Sequence, residues 1–200
     1  LVALQTLSSL RLSLAWYIEK VGLAYCSRAL LECDSHEEKR LYALMAADEA
    51  VHQRMIEHFL PSGEPIPELE QHPLLLCIAD VIENASSMAA VYIVQILLEG
   101  FGMQYYSQFK SKSLSPAVSA AFDQILKDEA RHHGGGLARF QNTVPTAETI
   151  REISKYTHQL VCAMEGIGFT IIAIEKALGR MLSANEKEQL LLETEWTRQA

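Results

Sequence analysis

The pattern Glu-x-x-Gly-x-x-Tyr occurs at Glu19, Gly22 and Tyr25 and again at Glu99, Gly102 and Tyr105. Asp-Glu-x-x-His occurs at Asp48, Glu49 and His52 and again at Asp128, Glu129 and His132. Both pairs are separated by 80 residues. Folding propensity does not explain the repetition, since histidine is a middling helix former and glycine a poor one. The chain therefore reads as two copies of one helical hairpin, and the repeated acids and histidines as the reason for keeping both.

Apart from these motifs, apolar residues recur at helical spacing and no alternating strand pattern is legible. The expected class is all-α. A first helix runs from roughly Leu4 to Cys33, and a second from the "DSHEE" boundary, with Ser35 and Glu38 as a capping box, to about Leu60. A connection of some two dozen residues follows, with a short helix near Leu74–Ile82. A third helix covers roughly Ser86–Lys110. A fourth starts with Ser115 as N-cap and Pro116 at its first position and reaches about Phe140. Beyond "QNTVPT", one long or two shorter helices extend to Leu178, and Ser183 with Glu186 caps a last one. Residues 1–141 are read as the duplicated unit and 142–200 as a helical extension packed on it or on a partner chain.

The spacing within each hairpin is informative. The first turn centres near Asp34, 15 residues after Glu19 and 15 before Glu49; the second centres near Leu114, 15 after Glu99 and 15 before Glu129. In an antiparallel pair, equal distances from the turn mean equal heights, here roughly 22 Å at about 1.5 Å per residue. Each hairpin thus sets two glutamates level. Glu49–His52 and Glu129–His132 are i, i+3 pairs, which share a helix face. A crossover of two dozen residues can span a bundle about 37 Å long. The hairpins then face one another about a two-fold axis, and four carboxylates and two imidazoles meet. Such a group buried without cations is severely unfavourable. Two divalent metals offset its charge, and the oxygen-rich donor set suits iron or manganese rather than structural zinc.

A glutamate on one helix, E-x-x-H on the next, and the same again resembles the ligand pattern of ferritin-like di-iron carboxylate proteins. The resemblance covers roughly residues 4–141, and all six positions match. It implies a ferritin-like four-helix bundle with a long crossover between the second and third helices, followed by C-terminal helices. It also implies two iron ions, with manganese as the alternative metal. Glu19, Glu49, His52, Glu99, Glu129 and His132 would be the ligands and the reacting centre, Glu49 and Glu129 bridging. The D-E-x-x-H form is similar to that of di-iron oxygenases, in which Asp48 and Asp128 would each hold the histidine of the facing helix. Rubrerythrin-like peroxidases carry a further glutamate soon after the third-helix ligand and a C-x-x-C iron domain; here Gly102 and Met103 follow Glu99, and no C-x-x-C is present. Storage ferritins ordinarily lack sixty residues after the fourth helix.

The expected activity is that of an O2-activating oxidase or oxygenase acting on a small organic molecule. Gly22 and Gly102 would open a pocket beside the metals. No flavin or nicotinamide motif is present, so electrons would come from an external donor. A ferroxidase or iron-handling protein is the first alternative, and a non-enzymatic helical assembly module the second. A net charge of −8 argues against nucleic-acid partners. The longest apolar run, residues 160–174, is interrupted by Glu165 and two glycines, so no membrane span is expected. The four cysteines form no paired motif, which fits a reducing, cytoplasmic setting. The apolar C-terminal segment needs cover, and a homodimer is one arrangement that provides it. Tyr17, Tyr42, Tyr92 and Tyr105 lie within two turns of the ligands and are read as packing residues, as is Cys26.

Overall fold

The computed structural model describes residues 2–112, 115–164 and 167–194. The turn expected near Leu114, together with Glu165 and Gly166 of the long apolar run, lies outside them. The fold is all-α, with no strand among the described residues.

Helix α1 (Val2–Glu32) and α2 (His36–Glu57) form the first hairpin. Ser35 sets the turn: its hydroxyl oxygen accepts from the Glu38 amide at 3.1 Å and its O–H donates to the Glu38 carboxylate at 3.2 Å. Leaving α2, the chain turns at Gly63, whose φ of +74° suits glycine. It then passes through a 3-10 turn (Pro67–Gln71) into α3 (Pro73–Asn84). Arg28 of α1 anchors this crossover by donating to the carbonyls of Val81 at 3.2 Å, Ala85 at 2.6 Å and Ile82. A cation at a helix C-terminus satisfies carbonyls that have no partner within the helix and complements its dipole.

The third long helical run differs from the expectation of one regular helix. It comprises α4 (Ser87–Ala90), a π-helical stretch (Val91–Leu98) and α5 (Glu99–Lys112). The π turns lie on the far side of Glu99 from the hairpin turn. The count of residues from that turn to Glu99 is therefore undisturbed, and Glu99 keeps its height opposite Glu129. Helix α6 (Pro116–Gln141) completes the second hairpin, with the Ser115 hydroxyl accepting from the Val118 amide at 3.5 Å. Among the described residues, one helical segment, 87–111, is long and apolar enough to cross a membrane by length and composition. Two of its polar residues, Gln95 and Glu99, are buried among the other helices.

Three apolar clusters bracket the centre. One, containing Tyr25, Met45, Ile78, Ile93 and Leu160, joins α1, α2, α3, the π stretch and α7 (Ala147–Met164). Ala15, Ile56, Tyr106, Phe122 and Ile125 close the end where the first hairpin opens, with Phe109 stacked on Phe122 at 4.7 Å. A third places Ile174 of α8 (Ile167–Leu178) and Leu190 of α9 (Ala184–Thr194) against Leu10 and Tyr17 of α1. The described part of the C-terminal segment thus shares its core with the preceding helices.

Candidate metal centre

Glu19 on α1, Glu49 and His52 on α2, Glu99 at the start of α5, and Glu129 and His132 on α6 converge in the interior. None is more than 8% exposed. Their donor atoms form two overlapping groups, Glu19–Glu49–His52–Glu129 and Glu49–Glu99–Glu129–His132. Within each group the candidate ligand atoms all lie within 4.8 Å of one another. Glu49 and Glu129 belong to both. The hairpin count, the i, i+3 pairs and the facing of the two hairpins thus bring all six residues together.

Each histidine turns Nδ1 inward and Nε2 outward. His52 Nδ1 is 3.0 Å from Glu19 Oε2 and 3.3 Å from Glu129 Oε1; His132 Nδ1 is 3.3 Å from Glu49 Oε1. The outward nitrogens meet the two repeated aspartates on the opposite hairpin: His52 Nε2 to Asp128 Oδ2 at 3.2 Å, and His132 Nε2 to Asp48 Oδ2 at 3.2 Å. An acceptor on the outer nitrogen fixes ring orientation and raises the basicity of the inner one. Arg131 reaches both aspartates, Asp128 Oδ1 at 2.5 Å and Asp48 Oδ2 at 3.4 Å.

Burial, reinforced by the charge of Glu19, raises the Glu49 carboxyl well above its ordinary range; burial and the charge of Glu129 do the same to Glu99. Glu129 goes the other way. Burial opposes its ionisation, but its contacts with the Glu99 carboxyl and with the His132 and His52 imidazoles outweigh it and lower its pKa. Burial pulls both imidazoles down, yet the surrounding carboxylates prevail, holding His52 up at about 11 and His132 at about 10. The carboxylates are thus partly neutralised by protons on the histidines and on one another. Among the described residues, two buried side-chain atoms nevertheless make no hydrogen bond, Glu99 Oε2 and His132 Nδ1. Each unsatisfied buried polar group costs about 1–3 kcal/mol. Both belong to one of the four-residue groups, and a divalent cation there would satisfy both. The donor set, two imidazoles and four carboxylates with two of them shared, fits a pair of such cations.

The expected pocket differs in size and in the part its glycines play. The cavity at Gly22 and Gly102 holds about 20 Å³ and is lined by Glu19, Glu49, Glu99 and Glu129 themselves, so it is space within the cluster for an ion or a water rather than a pocket for an organic substrate. A Cβ on Gly22 would lie 3.0 Å from the Glu49 carboxyl, so this glycine admits the carboxylate; a Cβ on Gly102 would meet nothing within 4 Å. A larger cavity, about 500 Å³, opens between α2 and α6 beside Tyr42 and Arg139, but none of the six clustered residues lines it.

Tyr106 is the residue that the motif reading passed over. Its hydroxyl donates to Glu19 Oε1. The repeated Tyr105 instead donates to the Arg11 carbonyl at 3.2 Å. Tyr106 lies seven residues after Glu99, as Cys26 lies seven after Glu19, and two helical turns return to the same face. That spacing is the signal that would have found it. Cys26 is buried, and burial followed by the charges of Glu49 and Glu129 raises its thiol pKa.

Gln95, fully buried in the π stretch, was likewise unmarked. Its Oε1 accepts from Tyr25 at 2.8 Å and Tyr42 at 2.7 Å, and its Nε2 donates to the His132 carbonyl at 3.3 Å. His133 points away from the centre and places Nδ1 3.2 Å from the Gln95 carbonyl. A Cβ on Gly136 would sit 2.5 Å from Gln95 Cβ. The "HHGGG" run therefore supplies one candidate ligand, one tie to the π stretch and one glycine that lets the helices touch.

No protein-family profile, no curated protein and no solved structure matches this chain.

Proposed function

We propose that this protein is a ferritin-like di-iron oxidoreductase that activates O2. The observation supporting this is the pair of overlapping, fully buried donor groups that share Glu49 and Glu129. Glu19 and His52 would hold one ion, Glu99 and His132 the other, and Glu49 and Glu129, common to both groups, would serve both. Bound iron would supply the electrons for O2 reduction. The chain's own contribution is to position and insulate. Asp48 and Asp128 orient the imidazoles, and Tyr106 holds Glu19. The apolar clusters on either side exclude water, which strengthens every charge interaction inside.

A small organic substrate and an external electron donor complete the oxygenase form of this reading. The size of the cavity at the four glutamates, roughly 20 Å³, favours a second form, a ferroxidase in which iron itself is oxidised, because it offers no room for an organic molecule beside the ions. One experiment tests both. Metal-free protein is loaded anaerobically with ferrous iron, and O2 uptake and bound iron are measured as iron is raised in excess. The di-iron reading expects two irons per chain and O2 consumption. Saturation at two supports the oxygenase, continued oxidation and uptake support the ferroxidase, and absence of stoichiometric binding rejects both.

A further inference from the structure

The two halves of the centre are not equally prepared for metal. We propose that the Glu99–His132 position is filled first and more tightly, and that the Glu19–His52 position is filled second. This rests on the two-metal reading above and concerns what distinguishes the positions.

At the Glu19–His52 position the donors are already engaged. His52 Nδ1 and Glu19 Oε2 are hydrogen-bonded at 3.0 Å, and the other oxygen of Glu19 accepts from the Tyr106 hydroxyl. An ion arriving there must displace the imidazole–carboxylate bond. At the Glu99–His132 position, Glu99 Oε2 and His132 Nδ1 are buried and make no hydrogen bond, Nδ1 standing only in ion-pair contact, nearest to Glu49 Oε1 at 3.3 Å, and both belong to the same donor group. An ion arriving there breaks no hydrogen bond of these atoms, displaces only the longer His132–Glu49 contact, and relieves two unsatisfied groups. The open space agrees. Gly102, one turn from Glu99, has nothing within 4 Å of a Cβ, whereas the equivalent space at Gly22 is taken by the Glu49 carboxyl. The difference is one of preorganisation: a site whose donors are free spends less of its binding energy on rearrangement.

The test is Mn(II) binding to the metal-free protein, followed by equilibrium titration and electron paramagnetic resonance. The wild-type protein is expected to bind in two steps, the first at least about tenfold tighter, since relieving both such groups suffices for that ratio. One equivalent should give the signal of isolated Mn(II), and the second should convert it to that of an exchange-coupled pair. His52→Ala should keep the first step within about twofold and lose the second; His132→Ala should lose the tight step. Glu19→Gln and Glu99→Gln, which preserve side-chain volume, should reproduce the two patterns if an alanine variant does not fold. A coupled signal from the first equivalent onward would overturn the order. So would loss of the tight step in the Glu19 or His52 variants with its retention in the Glu99 or His132 variants. A wild-type chain that takes up no Mn(II) and no ferrous iron would instead overturn the two-metal reading itself, and the order with it.

Discussion

The two hairpins repeat the same residues at the same spacing, yet they surround the centre differently. In the first, α1 is continuous, Gly22 is packed against the Glu49 carboxyl, and the residue seven after the glutamate is Cys26. In the second, a π-helical stretch precedes Glu99, Gly102 faces open space, and the equivalent residue is Tyr106. The aspartates differ as well. Asp128 is buried and accepts from Gln124 as well as His52, whereas the Asp48 side chain is 33% exposed. The halves share their donors and differ in the supports of those donors. What is common to the halves points to what the centre must hold, and what differs points to how each half holds it. π-helical turns inside longer helices are frequently found at functional sites.

The shared carboxylates give the strongest way to break the comparison. Glu49 and Glu129 belong to both donor groups, so removing them should abolish both positions, whereas removing Glu19 or Glu99 should affect one. Glu49→Ala with Glu129→Ala is expected to reduce bound metal from two ions per chain to none, measured by elemental analysis after anaerobic loading. Two ions retained in that double variant would show that the centre is not built from the repeat.

The next effect is on stability of the metal-free protein. Glu49 and Glu99 have raised pKa values, and so do the two histidines. A raised folded-state pKa gives stability that is complete below the unfolded value and lost as pH rises through the folded one. The loss begins above the ordinary carboxylate pKa for the glutamates, and it runs from above the ordinary histidine value to about 10 and 11 for His132 and His52. Glu129, lowered, acts in the opposite sense: its contribution is present above the ordinary carboxylate value and lost as pH falls. From pH 5 to 9 the metal-free protein should therefore lose stability, at up to about 1.4 kcal/mol per pH unit for each titrating group. Metal, by replacing the protons, should flatten the curve. Calorimetric melting at several pH values checks this; parallel curves with and without metal would contradict it.

A smaller effect should separate the aspartates. Replacing an outer partner of a metal-bound histidine typically costs 10–100-fold in affinity. Asp128→Asn should reach that range, because the buried site leaves no water to substitute. Asp48→Asn should cost several-fold less, since solvent reaches its side chain. Competition with a chelator measures both, and equal losses would remove the distinction in burial as a cause.

The centre was more legible in the sequence than the chain that carries it. The six donors could be placed because a helical hairpin converts residue count into height, and that conversion depends only on rise per residue. The capping residues Ser35, Ser115 and Ser183 were equally readable, since a cap is a local interaction: the Ser183 hydroxyl oxygen accepts from the Glu186 amide at 3.3 Å, and the Ser183 amide donates to the Glu186 carboxylate at 2.9 Å. The π turns were not. "VYIVQILL" has the apolar composition of any core helix, and its extra residue per turn goes with contacts to other helices, notably Gln95 against His132 and Gly136. Pocket size was hidden for a similar reason. A missing side chain leaves space only if no neighbour occupies it, and at Gly22 the Glu49 carboxyl does.

That contrast gives the finest test. Both glycines lie inside helices, where alanine is ordinarily more stable by about 1 kcal/mol. At Gly102 a methyl group meets nothing within 4 Å, so Gly102→Ala should raise stability by roughly that amount and leave metal binding unchanged. At Gly22 the same methyl group would approach the Glu49 carboxyl carbon and Oε2 at 3.0 Å. Glu49 must then give way by a few tenths of an ångström, and it is shared by both donor groups. Gly22→Ala should therefore forfeit the helix-propensity gain and weaken binding of both ions. The pair is compared by denaturant unfolding of the metal-free proteins and by metal titration. If the two alanines behave alike, the halves are equivalent at this level, and the asymmetry lies only in the supports of the histidines. If Gly22→Ala alone disturbs the metals, the repeated glycine serves two purposes: it seats a carboxylate in one half and leaves room beside the other.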